Sequence, residues 1–166
     1  MFSQTPNKML ILGVDPGYDR IGIAIIKRIN HSKNEVVYSE CFQTSSKDEI
    51  YDRLLSVGKA IENIISIYKP DCLAIENLFI TKNQKTAMRV SEARGIIIYE
   101  CKKNGIEIFE YTPMQIKMAI TGDGRSDKTR IIKMIEIIAK TQKNKKAQDD
   151  EYDAIAVALT HSAYIK

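Results

Sequence analysis

Histidine and cysteine are scarce in this chain of 166 residues, which has two of the first and three of the second. Neither His31 nor His161 has a second histidine or cysteine at metal-ligand spacing, so a zinc site is not expected and any metal would be bound by oxygen. Cys41, Cys72 and Cys101 are widely separated and form no C-x-x-C pair. Two of them sit in apolar stretches, where a thiol behaves as a small hydrophobe, and a reducing compartment fits this usage. There is no G-x-S-x-G elbow and no cysteine with a nearby histidine motif, so the common nucleophilic hydrolases drop out. No apolar run approaches a membrane span, and the first eight residues, MFSQTPNK, lack the basic-then-apolar build of a secretory signal. The expectation is a soluble, cytoplasmic protein with no membrane partner.

With 44% hydrophobic residues the length suits one domain, able to bury roughly 70% of the unfolded chain's surface. Residues 1–8 read as a polar N-terminal extension and 9–166 as a single domain. A net charge of +4 and a pI of about 8.9 are compatible with a polyanionic partner without identifying one.

Hydrophobic patterning predicts the elements. Leu10–Val14, Ile21–Ile26 and Val36–Phe42 read as a three-strand antiparallel meander. Ser46 to Glu49 has the capping-box pattern, and Ile50, Leu54, Val57, Ile61, Ile64, Ile65 and Tyr68 recur at helical spacing until Pro70. Cys72–Phe79 is a fourth strand, Gln84–Lys103 a helix stopped at Asn104-Gly105, and Ile106–Tyr111 a fifth strand. Thr112 to Gln115 forms another capping box. Ile131–Ile138 and Asp150–Tyr164 are further helices, joined by a lysine-rich loop. The sum is an α/β fold, a mixed five-stranded sheet of one meander plus two parallel strands flanked by helices.

Acidic residues fall in unexpected places. Helical crossovers make strands one and four parallel, so Asp15, after strand one, and Glu76, in strand four, reach the same sheet edge. Open α/β sheets place their ligands at that edge. Asp150 and Asp153 are three apart on one face of the last helix. Each residue has a plain structural reading. Asp15 before Pro16-Gly17 suits the first position of a type II turn, Glu76 could face solvent, and aspartates at a helix start complement its dipole. Jointly those readings weaken, because crowded like charges need a proton or a cation to compensate them. Hard divalent ions take oxygen ligands, and a pair of them can activate water and stabilise the leaving oxygen of a phosphodiester. The stretch Gly122 to Thr129 is no ATP-binding loop, because Asp127 stands where the motif needs its second glycine.

Four blocks in order carry a more specific signal: LGVDPG ending at Gly17, AIENLF at Ala74–Phe79 followed by Lys82-Asn83, EARG at Glu92–Gly95, and DEYDAIAVALTH at Asp150–His161. From about Met9 to Ala163 the chain resembles the RuvC family of Holliday junction resolvases, in the RNase H-like nuclease superfamily. The resemblance implies an RNase H-like sheet and four acidic metal ligands, which match Asp15, Glu76, Asp150 and Asp153. Asp149 competes for the third place, being four residues before Asp153. Two Mg2+ ions are implied, with Mn2+ able to stand in. Lys117 and Lys128 match family lysines near the scissile phosphate, and Phe79 matches an aromatic that meets bases near the junction centre, a core role for its ring being the alternative. Lys82, Lys85 and Arg89, spaced by three and four, could line DNA or form a solvated face. Lys140, Lys143, Lys145 and Lys146 read as solvated or as loose backbone contacts. Ile21 stands where the family usually has threonine, so a hydroxyl role there is absent.

The function implied is symmetric, metal-dependent nicking of two strands of a four-way junction in DNA recombination and repair. A homodimer would do this, with a branch-migration helicase as a possible associate. Two alternatives stand beside it: a YqgF-type RNase H-like nuclease acting on RNA, and a non-catalytic junction-binding module.

Overall fold

Alternation of apolar side chains along the strands sets up the whole arrangement. The computed structural model describes residues 8–30, 32–77, 84–139 and 148–165. Five strands, β1 (Met9–Asp15), β2 (Arg20–Asn30), β3 (Lys33–Gln43), β4 (Cys72–Glu76) and β5 (Glu107–Tyr111), form one sheet in the order β3-β2-β1-β4-β5. β1, β2 and β3 pair antiparallel, and β4 is parallel to both β1 and β5. This is the mixed sheet expected.

Helices α1 (Ile50–Tyr68) and α2 (Gln84–Lys103) cover one face, and α3 (Pro113–Thr121), α4 (Lys128–Ile138) and α5 (Asp149–Tyr164) the other. Leu12, Val14, Ile21, Ile23, Ile25, Leu73 and Ile75 point to α1 and α2, whereas Ile11, Ala24, Ile26, Cys72 and Ala74 point to α5. Both faces are therefore apolar, and a strand buried on both sides reads as a continuous hydrophobic run. None of the described helices is long and apolar enough to cross a membrane.

Several boundaries differ from expectation. β2 and β3 run well past their apolar segments, because ladder hydrogen bonds between residues such as Lys27 and Glu35 need no hydrophobic side chains. Ser46 does not cap α1. Glu49 is the N-cap and makes no side-chain cap bond, while the Ser45 hydroxyl takes the turn by accepting from Lys47 N–H at 3.2 Å. β4 ends at Glu76 rather than Phe79, and Asn77 N–H then donates to the Tyr111 carbonyl at 2.8 Å. Residues 78–83, with Phe79 and Lys82, lie outside the described residues, as do 140–147. α4 begins three residues early because Asp127, the residue that spoils a phosphate-loop reading, caps it by accepting from Arg130 N–H at 2.8 Å. The Thr112 capping box forms as expected.

Close packing of α5 fixes its height over the sheet. A Cβ at Gly13 would run into the Ala154 carbonyl oxygen, and one at Gly22 into that of Asp150. Overpacking of this kind costs about 1–3 kcal/mol or moves the helix.

His161, near the end of α5, is buried against the same sheet face. Its Nδ1 is 2.7 Å from the Tyr111 hydroxyl, and its ring stacks on Phe109 at 4.1 Å. Burial, helped by nearby Arg28, pushes its pKa down to about 4. A depressed histidine contributes stability that is whole above its unfolded value near 6.5 and is lost as pH falls through about 4. Urea unfolding should therefore show the wild type losing on the order of 2 kcal/mol between pH 7 and pH 5 relative to His161→Gln. Parallel pH curves for the two proteins would contradict this.

Candidate active site

The register that pairs Val14 with Ile75 sets Asp15 beside Glu76 at the C-terminal ends of two parallel strands. Val14 and Ile75 face α1 and α2, so alternation turns both acids toward α5. The N-terminal end of α5 lies above them, with Asp150 in its first turn and Asp153 one turn further along. Glu151 steadies that helix start by accepting from the Gln148 N–H at 3.1 Å.

Asp15 is held by the turn that follows it, which is not type II. Gly17 has no positive φ; its role is space, since a Cβ there would strike the Arg20 carbonyl oxygen. The turn is pinned from the neighbouring elements. Thr44 Oγ1 donates to the Tyr18 carbonyl at 2.6 Å, and Arg53 from α1 pairs with Asp19 and lies over the Tyr18 ring at 4.9 Å. Arg94 of the EARG block reaches across from α2 toward the Glu76 carbonyl at 3.4 Å and pairs with Glu110 at 3.0 Å, bracing the ends of β4 and β5.

The acids perturb one another. Burial, then the charges of Glu76, Asp153 and Asp150, pushes the Asp15 carboxyl up to about 8. Burial also raises Glu76, and Lys117 and Lys128 oppose that rise. Asp15 and Glu76 act on each other as a pair: contact with Glu76 adds to the rise at Asp15, and contact with Asp15 works against the rise at Glu76. Asp153 is raised by burial and held back by Lys128, whose Nζ donates to it at 2.9 Å. Lys128 reaches this place because Asp127 caps α4 and the loop before it is tied by Thr121, whose Oγ1 is 2.7 Å from the Ser126 hydroxyl. Asp149 is more exposed, lies 3.5 Å from Lys128, and adds to the charge felt by Asp153.

Asp15, Glu76, Asp150 and Asp153, with Lys117 and Lys128 nearby, are thus brought together. Lys85 and Arg89 are not part of this group; Arg89 pairs with Glu92 on its own helix at 2.8 Å. Sequence reasoning missed Arg20, which pairs with Asp150 and donates to Gln148 Oε1 at 2.7 Å. A signal was present: apolar Ile21, Ile23 and Ile25 face α1 and α2, so alternation puts Arg20 on the Asp15 side.

As placed, no three histidine, cysteine or carboxylate side chains among the described residues stand together as a formed metal site. Asp150 is turned to Arg20 and Asp153 to Lys128. The donor chemistry nevertheless suits a hard divalent cation, because every candidate ligand atom is oxygen and the acids are desolvated and mutually repelling.

The family model described as "Crossover junction endodeoxyribonuclease RuvC" matches residues 11–161. The chain belongs to the RuvC family. A RuvC of Petrotoga mobilis is 42% identical over 156 residues, 94% of each chain, and one of Caldicellulosiruptor saccharolyticus is 45% identical over 153 residues, 92% of each. The solved structure of Thermus thermophilus RuvC in complex with Holliday junction substrate superposes with a TM-score of 0.89 at 25% identity, covering 94% of both chains. The fold is therefore RNase H-like, the family is one of nucleases, and a RuvC-family nuclease implies a divalent metal.

The raised Asp15 has a consequence for stability. Between about pH 4 and pH 8 the folded protein retains a proton that the unfolded chain releases, so stability falls as pH rises through that window. In chelator, Asp15→Asn should melt above the wild type by about 2–4 °C or more at pH 8.5, with the gap closing toward pH 4. Differential scanning calorimetry at the two pH values measures it; a gap that widens toward acid would contradict the sign.

Proposed function

We propose that this chain is a Mg2+-dependent endonuclease that resolves four-way DNA junctions by symmetric nicking, with Asp15, Glu76, Asp150 and Asp153 as its metal ligands. The observation that carries this is the set of acids acting on Asp15: Glu76 from the neighbouring parallel strand and Asp150 and Asp153 from α5. Asp150 rather than Asp149 takes the third place, in keeping with its charge being among the main ones acting on Asp15 and with Asp149 being the more exposed of the two. When bound, two Mg2+ ions supply an activated water and charge stabilisation for the leaving 3′ oxygen, and Mn2+ can replace them.

The protein groups do the rest. Asp15 and Glu76, fixed on strand ends, give the site its rigid floor. Asp150 and Asp153 would close it from the helix above. Lys117 and Lys128, whose charges act on Glu76, hold the backbone phosphate. Lys85 and Arg89 on α2, together with Lys82 and Phe79, are the further DNA contacts. Phosphate contacts make binding steeply salt-dependent.

A homodimer presents two such sites to a two-fold substrate. Met88 and Tyr99, both strongly exposed and on one stripe of α2, favour that helix as the shared face. Residues 9–166 form one nuclease domain that works in the cytoplasm, with branch-migration helicase machinery as a natural associate. The RNA-directed and non-catalytic alternatives are not favoured, since the family matched is one of crossover junction endodeoxyribonucleases.

Purified protein with Mg2+ should place paired nicks in a four-way junction and leave a linear duplex and an RNA–DNA hybrid intact. Asp15→Asn and Glu76→Gln should each lower the cleavage rate at least about 100-fold while junction binding by gel shift persists. Retained cleavage in either variant, or cutting of the hybrid, would overturn the reading.

A further inference from the structure

Arg20 is the first residue of β2 and stands at the rim of the acidic cluster. One nitrogen of its guanidinium donates both to Asp150 and to Gln148 Oε1, and Gln43 Nε2 approaches the same Gln148 oxygen at 3.2 Å. The Asp150 oxygen that Arg20 holds also lies 3.5 Å from the Cys41 thiol. That oxygen is therefore committed to donors on the sheet. Half of the Arg20 side chain is exposed against about a quarter of Asp150's, and both line an open hollow with Gln43, Lys128, Gln148 and Asp149.

The charges explain why this pair differs from Lys128 and Asp153. Lys128 is shared between Asp153 and Asp149, whereas Arg20 has one carboxylate and otherwise only neutral partners among its contacts. A partly exposed ion pair is weak, and a doubly charged ion among several carboxylates competes with it effectively. A cation using the held oxygen must displace the guanidinium, and one using the other oxygen sits a single carboxylate away from a fixed positive charge. Either way Arg20 opposes the cation.

We propose that Arg20 is the exchangeable counter-ion of Asp150, a positioning residue that holds this carboxylate in the free protein and competes with the divalent cation for it. This rests on the four-carboxylate reading above. Arg20 acts through Asp150 and touches no reacting atom. Its effect is to keep cation affinity low in the free protein and to satisfy a partly buried aspartate in the first turn of α5.

The test is Mn2+ titration of the full-length protein by calorimetry, without DNA, beside its melting temperature. Arg20→Gln removes the charge and should tighten Mn2+ by about three- to tenfold. Arg20→Lys keeps the charge and should bind Mn2+ close to the wild-type affinity. Asp150→Asn should weaken Mn2+, and adding Arg20→Gln to it should recover less than Arg20→Gln gains alone, since the two residues share one interaction. A residue that merely braced the strand would instead lower affinity and melting temperature together in both Arg20 variants. Unchanged or weaker binding in Arg20→Gln, with Asp150→Asn still weakened, would overturn the role of Arg20 and leave the ligand set standing. No effect of Asp150→Asn on Mn2+ would overturn both.

Discussion

Everything at this site depends on how closely α5 lies on the sheet. Gly13 on β1 and Gly22 on β2 leave room for the backbone of α5 at Ala154 and Asp150, and any side chain at either position would lift the helix. That contact sets the distance between carboxylates arriving from two directions, two on strand ends and two on a helix start. The small residues that follow, Ala154 and Ala158, belong to the same close fit. Packing here is therefore part of the chemistry, because a helix raised by one methyl group would no longer bring Asp150 and Asp153 to bear on Asp15.

The same closeness creates an electrostatic cost that the surrounding residues offset in part. Asp15 keeps its proton up to about pH 8, Arg20 faces Asp150, and Lys128 faces Asp153 and Asp149. Each device lowers the repulsion without removing an acid. Active sites commonly trade stability for a prearranged cluster of this sort, and the apolar cores on both faces of the sheet supply the margin.

Much of this was legible in the sequence. Strand alternation and a helical crossover were enough to put Asp15 and Glu76 on one edge, and three-residue spacing to put Asp150 and Asp153 on one helical face. What escaped was set by tertiary context. The pattern Asp-Pro-Gly suggests a type II turn, but Arg53 and Thr44 hold the turn in another shape. Ser46 to Glu49 matches a capping box, yet Ser45 captures the turn before α1. Arg20 pairs with a residue 130 positions away, a partnership visible only once α5 is seated on β2. The family blocks mark the acids and Arg94, whereas Arg20, Gln43 and Gln148 lie outside all of them.

On the proposed reading, four carboxylates from β1, β4 and α5 form one divalent-metal centre. Anomalous diffraction from crystals grown with Mn2+ tests it most directly. The four-carboxylate centre predicts a peak between Asp15 and Glu76 on the side facing α5, with Asp153 and a reoriented Asp150 completing the ligand shell. A fully bound Mn2+ held by other residues, with Asp150 still on Arg20 and Asp15 still paired only with Glu76, would contradict it.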